Sequence, residues 1–437
     1  MKINNFSQIV ERTVSLCPIC FKRVNAKIVK KKSEYFIEKT CPEHGFFSAV
    51  IWRGLEPDFS QWSASTGEAV SDTNSPGCIE ACGLCENHLQ KTCCALVEIT
   101  NSCNLSCPIC FAQSNEENVD ISPSVADLKS IFKDMAAQGN TFIQLSGGEP
   151  TLRDDLPEII EAAKEVGAKT VQLNSNGLLF AKNPELAKSL REAGLDFVFM
   201  QFDGTDDDIY LKLRGEKLLD LKKKAIEVCG LNKIGVTLVP TIVPEVNDDN
   251  IGSIIDFALS NSPIVRGVHF QPISYFGRYP ETVTDKDRIT LPEVLQQIIG
   301  QTDGKFALSD FNPSSCDHPR CGFHGDFAVL PKGELLKLTK KTQDCCKPND
   351  AHLKSRNFVA RRWSRSEGEP ISDEDADMQN MDNFLSRVKS HGFTITAMAF
   401  QDADTIDLSR LRHCSLHVAK KGKIVPFCAN YLTAVVK

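Results

Sequence analysis

Cys103, Cys107 and Cys110 stand at C-x3-C-x2-C spacing in the run CysAsnLeuSerCysProIleCys. Three thiolates on one tight loop can bind three irons of a 4Fe-4S cube. No further cysteine follows until Cys229, so the fourth iron keeps a position open to a ligand, as a catalytic metal site does. By itself the triplet also fits zinc or a structural cluster. The segment Ser146-Gly147-Gly148-Glu149-Pro150 separates these readings. Its two glycines let a backbone come close to a ligand, and its carboxylate can accept hydrogen bonds from an ammonium group.

Three other cysteine groups accompany this one. Cys78, Cys82 and Cys85 repeat the same spacing and are followed by Cys93, a fourth thiolate that closes a cube and leaves no site for a ligand. This set is expected to hold a second 4Fe-4S cluster for electron relay or structural support, with zinc as the alternative. Cys94 could take the place of Cys93. Near the amino terminus, Cys17-Pro-Ile-Cys20 and Cys41-Pro-Glu-His44 have the spacing of a tetrahedral single-metal site, either a zinc ribbon or a rubredoxin-like iron centre. Towards the carboxyl terminus, Cys316, Cys321, Cys414 and Cys428 could close a third cluster, the alternative being buried, unreactive thiols. Cys229, Cys345 and Cys346 fit no site.

The elements that must position these residues are read from the apolar pattern. Between about 95 and 275, β-rich runs at 95–100, 141–146, 169–174, 196–202, 234–243 and 264–271 alternate with helical stretches such as 155–166 and 217–229. Such alternation means βαβ units and a parallel sheet, and six repeats predict an α/β fold with a partial (β/α)6 barrel. Residues 26–52 read as two strands of a metal-binding hairpin, 53–76 as a solvated linker, and 342–380 as a surface insertion. The expected domains are 1–60 (hairpin), 61–94 (linker and auxiliary cluster), 95–275 (barrel) and 276–437 (a cluster-binding extension).

With 437 residues, 41% hydrophobic and 24% charged, the chain has globular composition and room for roughly two to four domains at about 150 residues each. A net charge of -7 argues against a nucleic-acid binder. Eighteen cysteines exceed what packing calls for. The amino-terminal stretch has no apolar run long enough for a signal peptide, and no run of about 18 apolar residues occurs. A cytoplasmic location is therefore expected, where clustered cysteines act as metal ligands or redox groups.

The C-x3-C-x2-C loop followed by Gly147-Gly148-Glu149-Pro150 resembles the radical S-adenosylmethionine (radical SAM) superfamily over about 95–275. The resemblance implies that Phe111 sits beside the adenine of SAM and that Glu149 holds the methionyl amino group. It also implies that Asn174, Ser175 and Asn176 lie near the ribose, and that Gln201 and Asp203 face the pocket. The order of cysteine groups, HisPheGlnProIleSer at 269–274, Asp203-Gly204 and Arg214-Gly215 resemble the tetraether lipid synthase and dihydropterin-type (class D) methyltransferase group. That group implies a deoxyadenosyl radical abstracting hydrogen from an unactivated C–H bond, three 4Fe-4S clusters and one mononuclear iron. It further implies methylation or C–C bond formation on a pterin-like or lipid substrate, with ferredoxin or flavodoxin as electron donor. The alternatives are an iron-sulfur electron carrier, which leaves Gly147, Gly148 and Glu149 unexplained, a radical SAM enzyme modifying a peptide, and a nucleic-acid-binding zinc ribbon, disfavoured by the charge.

Overall fold

The computed structural model describes residues 7–54, 56–62, 84, 88–115, 122–280, 282–339, 351–365 and 378–435. The amino-terminal unit is an antiparallel meander of β1 (Gln8–Leu16), β2 (Arg23–Lys31), β3 (Glu34–Cys41) and β4 (Gly45–Arg53). The expectation of two strands was too small. Val24, Ala26 and Ile28 of β2 turn inwards while Asn25 stays exposed, the period of two of a strand with one buried face. The stretch expected to be a solvated linker also packs at its start. Phe59 stacks on Tyr35 at 4.4 Å, and Trp62 meets Trp52 edge-on at 5.6 Å, because these large rings remove apolar area from water.

The second sheet has thirteen strands among the described residues. Its centre is a parallel run of β5 (Cys94–Thr100), β6 (Phe142–Gly147), β7 (Thr170–Ser175), β8 (Phe197–Gln201), β9 (Gly235–Val239) and, after the two-residue β10 (Thr241–Ile242), β11 (Val265–Pro272). These are the six strands of the partial barrel. Helices such as Val125–Ala137 and Leu156–Glu165 cover the outer face with Leu128, Phe132, Ile159 and Ile160. Both sheet faces are thereby buried, as parallel sheets require. Strand alternation then sends Ile143 and Leu145 outwards to the helices, and Gln144 and Ser146 inwards.

The described residues of the carboxyl-terminal region build no sheet of their own. They supply β12 (Asn312–Pro313), β13 (Gly322–Val329), β14 (Leu335–Lys337) and β15 (Gly392–Met398) beyond β11, and β16 (Leu416–Lys420) with β17 (Lys423–Pro426) beyond β5. Both open edges of the barrel sheet are thus paired. The described part of the expected surface insertion is no insertion either. Helix Ala351–Trp363 buries Arg356, which donates to the carbonyls of Thr92 (2.6 Å), Cys93 (3.0 Å) and Gly139 (2.7 Å). Its charges had marked it as surface, but backbone carbonyls at the barrel floor take up the guanidinium. No helix among the described residues is long and apolar enough to cross a membrane.

Candidate functional site

Inside the barrel runs a cavity of about 560 Å³. Cys103, Cys107 and Cys110 line one end, on the loop after β5. Asn115 ties that loop together, accepting from the Cys103 N–H at 2.9 Å and donating to the Cys103 carbonyl at 2.9 Å. Arg278 donates to the Cys107 carbonyl at 2.9 Å, and its own carbonyl accepts from the Cys110 N–H at 2.9 Å. Burial pushes the Cys103 thiol up to about 11 and raises that of Cys107. Protons must therefore leave when a metal takes the thiolates. Three sulfur donors on one braced loop, facing a cavity, fit three irons of a cluster.

The glycines act on that loop rather than on a ligand alone. A Cβ on Gly147, at φ +126°, would lie 2.1 Å from the Thr100 carbonyl oxygen, and one on Gly148 would lie 2.1 Å from that of Ser102. Only bare backbone fits against the start of the cysteine loop. Glu149 is buried, and its Oε1 accepts from Thr151 N–H (3.1 Å), Thr151 Oγ1 (2.5 Å) and Ser175 Oγ (2.8 Å), while Oε2 accepts from Asn176 N–H (2.7 Å). With about two lone-pair sites per oxygen, Oε2 keeps one open. Glu149 lines the cavity, so that site can take an ammonium proton.

At the other strand ends, Asn174 accepts from Gln144 (2.8 Å) and Gln172 (3.0 Å) and donates to Ser146 (3.2 Å). Asn176 donates to Asn104 at 2.7 Å. Asn174, Ser175, Asn176, Gln201 and Phe111 all line the cavity, with the Phe111 ring edge-on to Tyr431 at 5.0 Å. Asp203 does not, which corrects the expectation that it faces the pocket. Just past the end of β8, its carboxylate is wholly buried on Arg214, and it is the guanidinium that reaches the cavity beside Cys107. A carboxylate taken out of water needs such a partner. Sequence reasoning also missed Lys222, which donates to Gln201 Oε1 at 3.0 Å and to the Asn176 carbonyl at 2.5 Å. Burial pulls its ammonium down to about 8. A lysine on an amphipathic helix carries no signal that separates it from a solvated one.

The amino-terminal quartet converges. The ligand atoms of Cys17, Cys20, Cys41 and His44 all lie within 4.8 Å of one another, with Cys41 Sγ 3.5 Å and Cys17 Sγ 3.6 Å from His44 Nδ1. Such spacing suits one tetrahedral ion with bonds of about 2.0–2.3 Å. Burial would raise the Cys41 thiol, but the His44 hydrogen bond and nearby backbone N–H groups outweigh it and bring it down to about 6. Two knuckle turns and three thiols with one imidazole fit zinc or iron alike.

Cys78, Cys82, Cys85, Cys345 and Cys346 lie outside the described residues. Cys93 stands against Cys316, whose thiol, with burial, pushes that of Cys93 well up. Cys93, from the upstream group, therefore meets Cys316 of the carboxyl-terminal group, which no spacing foretold. The next residue, Cys94, which opens β5, has its Sγ 3.3 Å from Gln144 Oε1 in the barrel interior. Cys321 accepts from Arg410 at 3.3 Å and Cys428 from the Gln401 N–H at 3.3 Å, while burial and then Asp317, Cys428 and Cys321 raise Cys414. Cys229 is buried in the outer core beside Ile226 and Ile234 and takes no part.

Comparison with known proteins agrees with this geometry. A family model described as the Radical SAM superfamily matches residues 97–258, and one described as the HMPTM N-terminal zinc ribbon domain matches 9–53. A 7,8-dihydro-6-hydroxymethylpterin dimethyltransferase of Methanocaldococcus jannaschii is 34% identical, with 96% of this chain and 92% of that one covered. An Fe-coproporphyrin III synthase of Methanosarcina barkeri is 35% identical over 43% of this chain and 45% of its own. Among solved structures, Streptococcus suis SuiB bound to S-adenosylmethionine is 17% identical, covering 50% of this chain and 48% of that one at a TM-score of 0.40. Fold and cysteine loop together define a radical SAM enzyme, and with it a 4Fe-4S cluster and SAM. Within that class the chain belongs to the family of the 7,8-dihydro-6-hydroxymethylpterin dimethyltransferase, and its amino-terminal unit is a zinc ribbon domain.

Proposed function

We propose that this protein methylates a small pterin-like ring by radical chemistry, with 7,8-dihydro-6-hydroxymethylpterin as the first candidate. The carrying observation is that one cavity joins the Cys103, Cys107 and Cys110 loop to a wall of aromatic and amide side chains, in a chain that follows a pterin dimethyltransferase nearly end to end. A volume of about 560 Å³ lies in the range of small-molecule sites, about 300–1,000 Å³.

Cys103, Cys107 and Cys110 would hold the cluster. When bound, cluster and SAM supply a deoxyadenosyl radical strong enough to take hydrogen from an unactivated C–H bond. The remaining tasks fall to side chains. The open site on Glu149 Oε2 receives the methionyl ammonium, with Gly147 and Gly148 allowing the close approach. Asn174, Ser175 and Asn176 meet the ribose, and Phe111 lies beside the adenine. Gln201, fixed by Lys222 and Asp203, stands at the cavity edge. Arg214, charged and paired with Asp203, keeps positive potential beside Cys107. The barrel wall keeps water from the reacting carbon.

Two further cysteine groups, Cys78, Cys82, Cys85 and Cys93, and Cys316, Cys321, Cys414 and Cys428, are assigned to auxiliary clusters. The contact of Cys93 with Cys316 supports a short path between them. A reduced ferredoxin or flavodoxin would provide the electron, and iron-sulfur potentials of roughly -700 to +450 mV span what is needed. The test is anaerobic reconstitution, then SAM, reductant, 7,8-dihydro-6-hydroxymethylpterin and a methylene-folate type donor to supply the methyl carbon, with deoxyadenosine and pterin mass measured together. Methylated pterin is expected. Deoxyadenosine with unchanged pterin would transfer the reading to another substrate.

A further inference from the structure

Parallel pairing of β11 with β15 sets His269 opposite Thr396, and antiparallel pairing of β15 with β13 sets His324 opposite the same threonine. Three polar side chains thus form a row across three adjacent strands, and all three line the cavity. Aromatic rings flank them. The rings of Phe199 and Trp363 lie 5.4 and 6.3 Å from the His269 ring, and Phe358 is 6.4 Å from His324. The chemistry proposed above makes no use of this row.

The two faces of His269 differ. Its Nδ1 is 2.8 Å from Thr396 Oγ1, and that hydroxyl has the Val268 carbonyl as an acceptor at 3.5 Å. In the tautomer protonated at Nδ1, the hydroxyl oxygen accepts from Nδ1–H and the hydroxyl proton turns to the Val268 carbonyl. The neutral imidazole then carries a bare lone pair on Nε2, which has no hydrogen-bond partner among the described residues, in a ring that lines the cavity. Burial agrees with neutrality, pulling this imidazole down to about 4.

We infer that His269 Nε2 accepts a hydrogen bond from a ring or amine N–H of a flat heteroaromatic substrate seated against Phe199 and Trp363, and thereby selects the ring and turns it towards the cysteine loop. This rests on the reading of the cavity as the substrate site. An acceptor buried among aromatic rings rejects molecules that cannot fill it, because the unpaired group has lost its water.

The test is anaerobic equilibrium binding of 7,8-dihydro-6-hydroxymethylpterin to reconstituted full-length protein with SAM present. His269→Ala is expected to weaken binding on the order of tenfold, whereas His269→Gln, whose amide oxygen can stand where Nε2 stands, stays within about threefold. In turnover, KM should rise more than kcat falls. Pterins blocked by methylation at one N–H position at a time probe the same bond without touching the fold. One of them should lose affinity for the wild type and lose nothing further in His269→Ala. Equal affinity of His269→Ala and wild type, a loss in His269→Gln as large as in His269→Ala, or strictly additive losses at every position would overturn the role. If the wild type itself fails to bind the pterin, the substrate reading falls and this inference with it, an outcome visible before any variant is made.

Discussion

Arg214 holds Asp203 through two bonds, Nε to Oδ2 and Nη2 to Oδ1, both 2.7 Å, with Cys107 beside the same guanidinium. Both side chains are withdrawn from water, Asp203 completely. Removing one partner of such a pair strands the other charge. Asp203→Asn should therefore cost about 3–5 kcal/mol in anaerobic urea unfolding. Arg214→Lys should not restore the wild-type value, because an ammonium cannot copy the two-pronged contact.

Gly148 offers a sharper probe of the cysteine loop. Its missing Cβ would collide with the Ser102 carbonyl, which is backbone and cannot swing aside. Gly148→Ala should push the loop outwards at a cost of about 1–3 kcal/mol. The readout is iron. The SAM-site cluster should be lost or under-filled, while the ion at Cys17, Cys20, Cys41 and His44 is retained.

The two kinds of metal site should also separate by activity. Cys103→Ala is expected to abolish deoxyadenosine formation from SAM and reductant. Cys17→Ala should remove a single metal ion and leave measurable deoxyadenosine, since the ribbon lies outside the barrel cavity. Equal loss in both variants would mean that the ribbon ion is needed for the radical step itself.

An acid-sensitive junction stands beside the ribbon. Lys39 of β3 donates to Ser15 (3.1 Å) and to the Ala403 carbonyl (2.8 Å), next to Asp402, which is paired with Arg288 at 2.6 Å. Burial would raise the Asp402 carboxyl, but Arg288 prevails and holds it below the usual value. A depressed carboxyl contributes stability that is present above its unfolded value of about 3.9 and lost as pH falls through the folded one. Asp404, raised by burial and then by Asp402, works in the opposite sense at somewhat higher pH. Unfolding midpoints are thus expected to fall steeply only below about pH 4. Asp402→Asn should flatten that limb while lowering stability near neutral pH by about 3–5 kcal/mol.

Much of this was legible before any fold was known. The six barrel strands lie within a few residues of their expected positions, because a strand buried on both faces must be written as a continuous apolar run. The convergence of Cys17, Cys20, Cys41 and His44 was legible too, since each pair sits within one turn of chain. Errors fell where charge or composition stood in for contact. Asp203 read as a pocket residue until Arg214 took it, and helix Ala351–Trp363 read as surface until its arginines met backbone carbonyls. His269 lay in a recognisable stretch, but nothing local shows that Thr396 fixes its ring.

By itself, then, the amino-acid order determined the shared loop of Cys103, Cys107 and Cys110, the convergence of the ribbon quartet and the parallel sheet, all of which rest on spacings of a few residues or on the period of a single element. Tertiary structure alone decided that Cys93 meets Cys316, that carboxyl-terminal strands close both edges of the barrel sheet, and that His269, Thr396 and His324 share one row. Each of these joins residues more than fifty positions apart. Such contacts follow from strand register and packing, which the whole chain settles together and no short stretch encodes.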